Sequence, residues 1–325
     1  MGKLFGTDGI RGVAGEAPLD ARTIFAVGRA VGEWLRGDRS RPFASSRKAG
    51  LAQGNKTLRV LLGEDTRESS PWVTSYLAGG LKAAGVEAVS AGVLPTPGVA
   101  QLVRARPNRA SGFAAGAVVS ASHNPYRDNG IKLIGPTGMK LPDEVEAEIE
   151  ERIWKLLGEG EAEEAERGVA WNPPVDMNLA DEYTALLREI VAKESAGGLA
   201  LDGLHLVVDC ANGAAARVGP RLFRELGAAV TEIHASPDGR NINEGCGALH
   251  PEVVAAKVKE VRADLGVGFD GDADRALLAT ASGRVVNGDG VLLLAARWMK
   301  EKGRLKGSAV VGTSMSNLGL EVALK

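Results

Sequence analysis

The chain has 325 residues, 44% hydrophobic and 25% charged, which suits a soluble globular protein too long for one small core and divided into two or three domains. Its net charge of −2 leaves no surplus of positive charge to hold a nucleic-acid backbone, so nucleic acid is not an expected partner. Cys210 and Cys246 are its only cysteines, with no CxxC pair, so neither a disulfide framework nor a zinc site is suggested.

The Met1–Gly6 start lacks an apolar signal core, and Gly6 stands where a myristoylation signal needs Ser or Thr. No apolar run approaches ~18 residues, so no membrane span is expected and the cytoplasm is the expected location. After a first helix, the polar stretch Gly37–Thr57 reads as a surface loop. Leu58–Gly63 reads as a strand, Pro71–Ala84 as a helix, Val86–Val93 as a strand and Pro97–Arg106 as a short helix. Gly112–Ser120 is small and apolar throughout, as a strand buried on both faces should be. Gly130–Ile134 follows as a strand. Asp143–Leu157 is a helix that starts after Pro142 with acids in its first turn. The acidic run Glu159–Arg167 reads as a solvated face.

Asn172-Pro173-Pro174 is the expected linker to a second set of elements. These are helices at Leu179–Ala192, Ala214–Leu226 and Glu252–Arg262, with strands at Leu204–Asp209, Val230–Ile233 and Leu265–Phe269. A third set starts at Leu277 and stops at Lys325. Expected domains are therefore 1–172, 173–276 and a partial third over 277–325. Alternation of this kind predicts tandem α/β domains whose functional loops lie at the carboxyl ends of strands. Many of the 43 glycines follow short apolar runs, where strand-to-loop turns need them.

Two such loops carry chemistry. Ser120-Ala121-Ser122-His123-Asn124-Pro125 follows the buried strand, so a serine hydroxyl there points into the ligand crevice, or Ser122 and Asn124 merely shape a turn before Pro125. A hydrolase triad is disfavoured: His123 is badly placed as a base for its own neighbour, and no GxSxG elbow is present. The second loop is Gly268-Phe269-Asp270-Gly271-Asp272-Ala273-Asp274-Arg275. In extended backbone the spacing of Asp270, Asp272 and Asp274 projects three carboxylates to one side. They repel unless a cation neutralises them, and oxygen-only ligands point to Mg²⁺ rather than zinc. The loop is not an EF-hand, which needs Gly at Arg275 and Glu at Ala281. Gly266–Gly271 fits GxGxxG but ends in an acidic loop that would repel pyrophosphate, and Gly50–Thr57 only approaches a P-loop.

With these loops the sequence resembles the α-D-phosphohexomutases over its whole length, from Phe5-Gly6-Thr7-Asp8-Gly9-Ile10-Arg11-Gly12 onward. The resemblance implies tandem α/β domains with mixed sheets. It makes Ser122 the phosphoserine nucleophile, which also contributes to binding a single Mg²⁺ with Asp270, Asp272 and Asp274. Arg275 takes the place of an active-site arginine, Arg11 and Lys132 a basic pair near the transferring phosphate, and His123 an active-site histidine; Asn124 lies in the same phosphate-binding loop. Either Arg11 or Lys132 would handle the sugar hydroxyl's proton if its pKa were suitably depressed. Asn241–Pro251, Thr313–Leu320 and the Gly6–Gly9 opening resemble the branch acting on glucosamine phosphates rather than on mannose or glucose phosphates. The expected partner is thus a small hexosamine phosphate, and the oligomeric state is not indicated. The implied cycle passes the serine phosphate to the sugar 6-phosphate, forms a bisphosphate, and returns the other phosphate to Ser122.

Two loops of the family have no counterpart: a Gly-Glu-x-Ser-Gly sugar-binding loop and an Arg-x-Ser-Gly-Thr-Glu phosphate-binding loop. Arg109-Ala110-Ser111-Gly112 looks similar to the latter but continues into Phe113 within the first domain. The expectation is an incomplete third domain, an absent fourth, weakened turnover, and apolar surface exposed near Val310–Leu324. Relatives often carry Arg where Glu64 stands.

Overall fold

Strands form where the apolar runs predict them, and they assemble into two sheets. The computed structural model describes residues 3–37, 57–106, 112–158, 169–194 and 200–325. The expected loop within Gly37–Thr57, the near P-loop and the acidic face at 159–167 lie outside the described residues, as do 109–111 of the Arg109–Gly112 stretch.

The first sheet contains Ile10–Val13 (β1), Arg59–Glu64 (β2), Glu87–Val93 (β3), Ala115–Val119 (β4) and Asp128–Ile134 (β5), in the order β1-β5-β4-β2-β3. β3, β2 and β4 are parallel; β5 runs antiparallel to β4, and β1 antiparallel to β5. Helices Ala21–Arg36 (α1), Ser70–Ala83 (α2) and Asp143–Gly158 (α4) cover one face, and Thr96–Ala105 (α3) covers the other. The period of two sorts the side chains: Val60 and Leu62 face α1, α2 and α4, while Leu61 between them faces α3. α1 is capped by Asp20, whose carboxylate accepts the Thr23 N–H at 3.0 Å and the Thr23 hydroxyl at 2.7 Å. α1 and α2 meet backbone to backbone: a Cβ at Gly28 would lie 2.1 Å from the Leu77 carbonyl oxygen, and one at Gly80 would lie 2.1 Å from that of Phe25.

The second sheet contains His205–Asp209 (β6), Ala229–Ile233 (β7), Leu265–Phe269 (β8), Ala276–Thr280 (β9) and Val285–Val286 (β10), in the order β10-β9-β8-β6-β7. β7, β6 and β8 are parallel, followed by antiparallel β9 and β10. Ala215–Glu225 (α6) packs on one face and Pro251–Val261 (α7) on the other. Both sheets therefore repeat one plan, strand–helix–strand–helix–strand–strand, over β2 to β5 and again over β6 to β9. The loops after β4 and β8 are counterparts at the carboxyl ends of central strands, where α/β sheets place ligands.

Contacts cross both expected domain boundaries. After the Pro173-Pro174 segment, Val175 bridges to Ser90 beside β3, and Leu179, Ala180 and Tyr183 of Asn178–Ala192 (α5) join the core under α3. β9 and β10 extend the second sheet through Val286 rather than opening a third layer. β1 and β10 were not expected as strands, because four and two residues are too few for a period-two pattern to show. Gly288–Glu301 (α8) and Leu318–Leu324 (α9) follow. Exposed apolar surface near Val310–Leu324 is present as expected: Val311 and Met315 are 88% and 90% exposed. Among the described residues no helix is long and apolar enough to cross a membrane.

Candidate active site

β4 ends at Val119, and the chain turns at Ser122 through a left-handed backbone conformation, φ +53°. A non-glycine residue held there is costly, about 1–3 kcal/mol, unless its surroundings fix it. They do. The Ser122 N–H donates to Ser120 Oγ at 2.9 Å, and that hydroxyl donates to Asp65 at 2.5 Å. Asp65 also accepts the Ser70 hydroxyl at 2.9 Å and pairs with the fully buried Arg67. Arg67 reaches on to the carbonyl oxygens of Ser122, at 3.2 Å, and Asn124, at 2.6 Å. From the second sheet, the Asn243 amide donates to the same two carbonyls at 2.9 and 3.2 Å.

The counterpart loop after β8 meets this one directly. Ser122 Oγ donates to Asp270 at 2.7 Å. A Cβ on Gly271 would lie 2.6 Å from the Ser122 carbonyl oxygen, so only glycine permits this approach. Ala273 shares the left-handed conformation, φ +55°. Asp272 accepts the Thr96 hydroxyl at 2.6 Å, and its carbonyl accepts the Thr96 N–H at 2.9 Å, which sets the loop against the positive end of α3. Lys132 of β5 bonds Asp272 at 2.8 Å and Asp274 at 3.3 Å, and lies 3.0 Å from Asp8.

Asp270, Asp272 and Asp274 bring one carboxylate oxygen each within 4.8 Å of the others. Asp272 Oδ1 is buried without a hydrogen-bond partner. A buried, unpaired carboxylate oxygen amid others, with a serine hydroxyl adjoining, fits a hard divalent cation bound by oxygen alone. The electrostatics are divided. Burial and the neighbouring Asp272 charge push Asp270 up to about 6, against the Ser122 hydrogen bond. Burial works against ionised Asp272 too, but Lys132 and Thr96 outweigh it and hold its carboxyl below the usual range. Burial likewise opposes charge on Lys132, yet Asp272 and Asp274 hold its pKa above the ordinary lysine value. The depressed pKa that would let Lys132 take a proton is therefore not found. Burial, then the positive charges of Arg275 and Arg11, push His123 down, so its imidazole is neutral near pH 7.

The other expected residues lie around this cluster. His123 Nδ1 is 3.4 Å from Ser122 Oγ, and Arg11 is bonded to Asp8 at 3.1 Å. Arg275 contributes its N–H to Asp270 at 3.1 Å while its guanidinium stays half exposed. Asn124 turns its amide to Asp128 at 2.8 Å and offers the cluster only its carbonyl. Sequence reasoning missed Asp65, Arg67, Thr96 and Asn243. Asp65 and Arg67 did leave a signal: a polar Glu64–Arg67 stretch at the carboxyl end of a strand.

Comparison with known proteins gives consistent findings. The family models described as phosphoglucomutase/phosphomannomutase alpha/beta/alpha domain I and domain II match residues 2–157 and 181–283. The chain is 49% identical to the phosphoglucosamine mutase of Koribacter versatilis, aligning over 99% of itself and 65% of that protein. It is 44% identical to the phosphoglucosamine mutase of Thermus thermophilus, over 100% of itself and 65% of that protein. The chain thus spans about two thirds, just short, of the length of these relatives. Among solved structures, a phosphoglucomutase/phosphomannomutase family protein from Burkholderia thailandensis superposes with a TM-score of 0.70 at 28% identity, covering 92% of this chain and 59% of that one. A putative phosphomannomutase from Thermus thermophilus shares the fold, with a TM-score of 0.69 at 23% identity over 92% of this chain and 62% of that one.

Proposed function

We propose that this chain, which belongs to the phosphoglucomutase/phosphomannomutase family, supplies the phosphoserine and metal-binding loops of a phosphoglucosamine mutase. It would interconvert glucosamine 6-phosphate and glucosamine 1-phosphate in the cytoplasm through a bisphosphate. The observation that carries this reading is the 2.7 Å contact of Ser122 Oγ with Asp270, made between counterpart loops of two repeated sheets. The domain division that accompanies it is a first domain over 1–172, a second that starts at 173 and runs past the expected 276 to take in β9 and β10, and the start of a third after Val286.

In the forward half-reaction the bond between phosphorus and Ser122 Oγ breaks as a new bond forms from phosphorus to the sugar hydroxyl, whose proton departs. The return half-reaction reverses this with the sugar's other phosphate. Mg²⁺, held by Asp270, Asp272, Asp274 and an oxygen on Ser122, would supply Lewis-acid stabilisation of the phosphoryl charge. Arg11, which proteins do not deprotonate, and Lys132, which Asp272 and Asp274 hold charged in the metal-free chain, would stabilise the transferring group. His123 is the neutral nitrogen base of this cluster and the suitable acceptor for the hydroxyl proton. Arg275, with its guanidinium half exposed, and Asn124 of the serine loop would meet the substrate's phosphate. The sugar preference rests on identity to phosphoglucosamine mutases over nearly the whole chain.

The test is phosphoryl uptake by the chain from the 1,6-bisphosphates of glucosamine, glucose and mannose, with Mg²⁺ present. Fastest uptake from glucosamine bisphosphate supports the reading. Faster uptake from another sugar would assign the chain to a different branch, and uptake from none would contradict the mutase reading.

A further inference from the structure

A second cluster of metal-ligating side chains lies at the carboxyl edge of the second sheet. β6 and β7 run parallel and in register, Asp209 beside Ile233, so Asp209 and the following His234 emerge together. His234 sits in a left-handed turn, φ +46°, pinned by the Asn212 N–H donating to its carbonyl at 2.6 Å. Cys246 is brought in from the Asn241–Gly247 loop, because the Gly247 N–H donates to Asp209 Oδ2 at 3.0 Å. One ligand atom from each of Asp209, His234 and Cys246 lies within 4.8 Å of the others.

The state of these atoms points to a ligand. Asp209 and Cys246 are fully buried. His234 Nδ1 is buried and lies 3.2 Å from Asp209 Oδ2, yet the pair lacks hydrogen-bond geometry and that nitrogen has no partner. The Cys246 thiol is buried and outside any disulfide. A buried polar atom left unpaired costs stability, and here the His234 nitrogen faces a buried carboxylate with a thiol beside both.

We propose that Asp209, His234 and Cys246 form a second metal site, for a borderline-soft divalent transition ion such as zinc, separate from the all-oxygen cluster of Asp270, Asp272 and Asp274. One oxygen, one nitrogen and one sulfur donor make a set that zinc accepts and magnesium does not. On binding, the Cys246 S–H bond breaks, its proton passes to solvent and a sulfur–metal bond forms. Carboxylate and thiolate then balance the divalent charge, with imidazole neutral. The ion would tie β6 to the loop that carries Asn243, the residue that holds the Ser122 and Asn124 carbonyls. Its ligands are scattered over residues 209, 234 and 246, which is why no spacing motif announces them.

Cobalt(II) titrated into the purified chain tests this, because only thiolate ligation produces a near-ultraviolet sulfur-to-cobalt charge-transfer band. The expected result is a saturable band that disappears in Cys246→Ala and is retained in Asp272→Asn. In His234→Asn, which tolerates the left-handed turn, the affinity should fall by at least about tenfold. Circular dichroism identifies any variant that fails to fold, and His234→Asn keeps the test decisive if Cys246→Ala does so. Absence of the band in the folded wild-type chain would overturn the site. So would a band that survives in folded Cys246→Ala, or affinity unchanged in folded His234→Asn.

Discussion

Asp270 holds its proton to about pH 6 where an ordinary aspartate loses it near 3.8. A cation must displace that proton, so affinity of the acidic cluster for Mg²⁺ or Mn²⁺ should fall as pH drops through about 6; calorimetric titration between about pH 5 and about pH 7.5 measures it. The stability effect has the opposite direction. Without metal the folded chain binds more protons than the unfolded one between 3.8 and about 6, so Asp270's contribution is fully present below 3.8 and is lost as pH rises through 6. A second residue-scale prediction concerns Arg67, fully buried against Asp65. Arg67→Met removes the charge that offsets the burial of Asp65, and should cost about 3–5 kcal/mol in chemical denaturation. Asp65→Asn in the same chain should restore part of the loss. These residues also show the limit of sequence reading. The Ser122 loop and the cluster of three carboxylates were legible because each loop is contiguous, whereas Arg67 and Asn243 act on Ser122 from 55 and 121 residues away.

Between elements, close backbone approach decides what is tolerated. Gly80→Ala forces a Cβ to 2.1 Å from the Phe25 carbonyl oxygen, so α1 and α2 must separate. The expected loss is about 1–3 kcal/mol, read as a lower melting temperature. Gly158→Ala, where an added Cβ meets nothing within 4 Å, should leave the melting temperature nearly unchanged. Strands β2 to β8 were legible as apolar runs bounded by turn residues. β1 was not, because it exists through pairing: Ile10 to Val13 are strand only against Ile131 to Asp128. α5 was legible as a helix, but its packing under α3 was not. Its period shows which face is apolar and cannot show that Leu179 and Tyr183 meet α3 of the first sheet.

At the scale of the molecule, the two sheets meet through polar contacts at their functional edges. Besides the Ser122–Asp270 and Lys132–Asp272 bonds, Thr66 donates to the Asn212 carbonyl at 2.6 Å and Arg240 to Glu68 at 2.7 Å. A phosphate on Ser122 would add about −1.5 to −2 charge beside three carboxylates. Without a divalent cation the phosphorylated chain should therefore melt lower than the unphosphorylated one. Mg²⁺ should raise its melting temperature by more than it raises that of the unphosphorylated chain. Equal responses would mean that the metal and the phosphate do not share a site. The measurement that bears most directly on the whole account is peptide-level mass mapping after exposure to glucosamine 1,6-bisphosphate and Mg²⁺, with Ser122→Ala as control. Phosphate on Ser122, and none on the control, is the predicted result. An unmodified Ser122, or uptake that persists in Ser122→Ala, would contradict it.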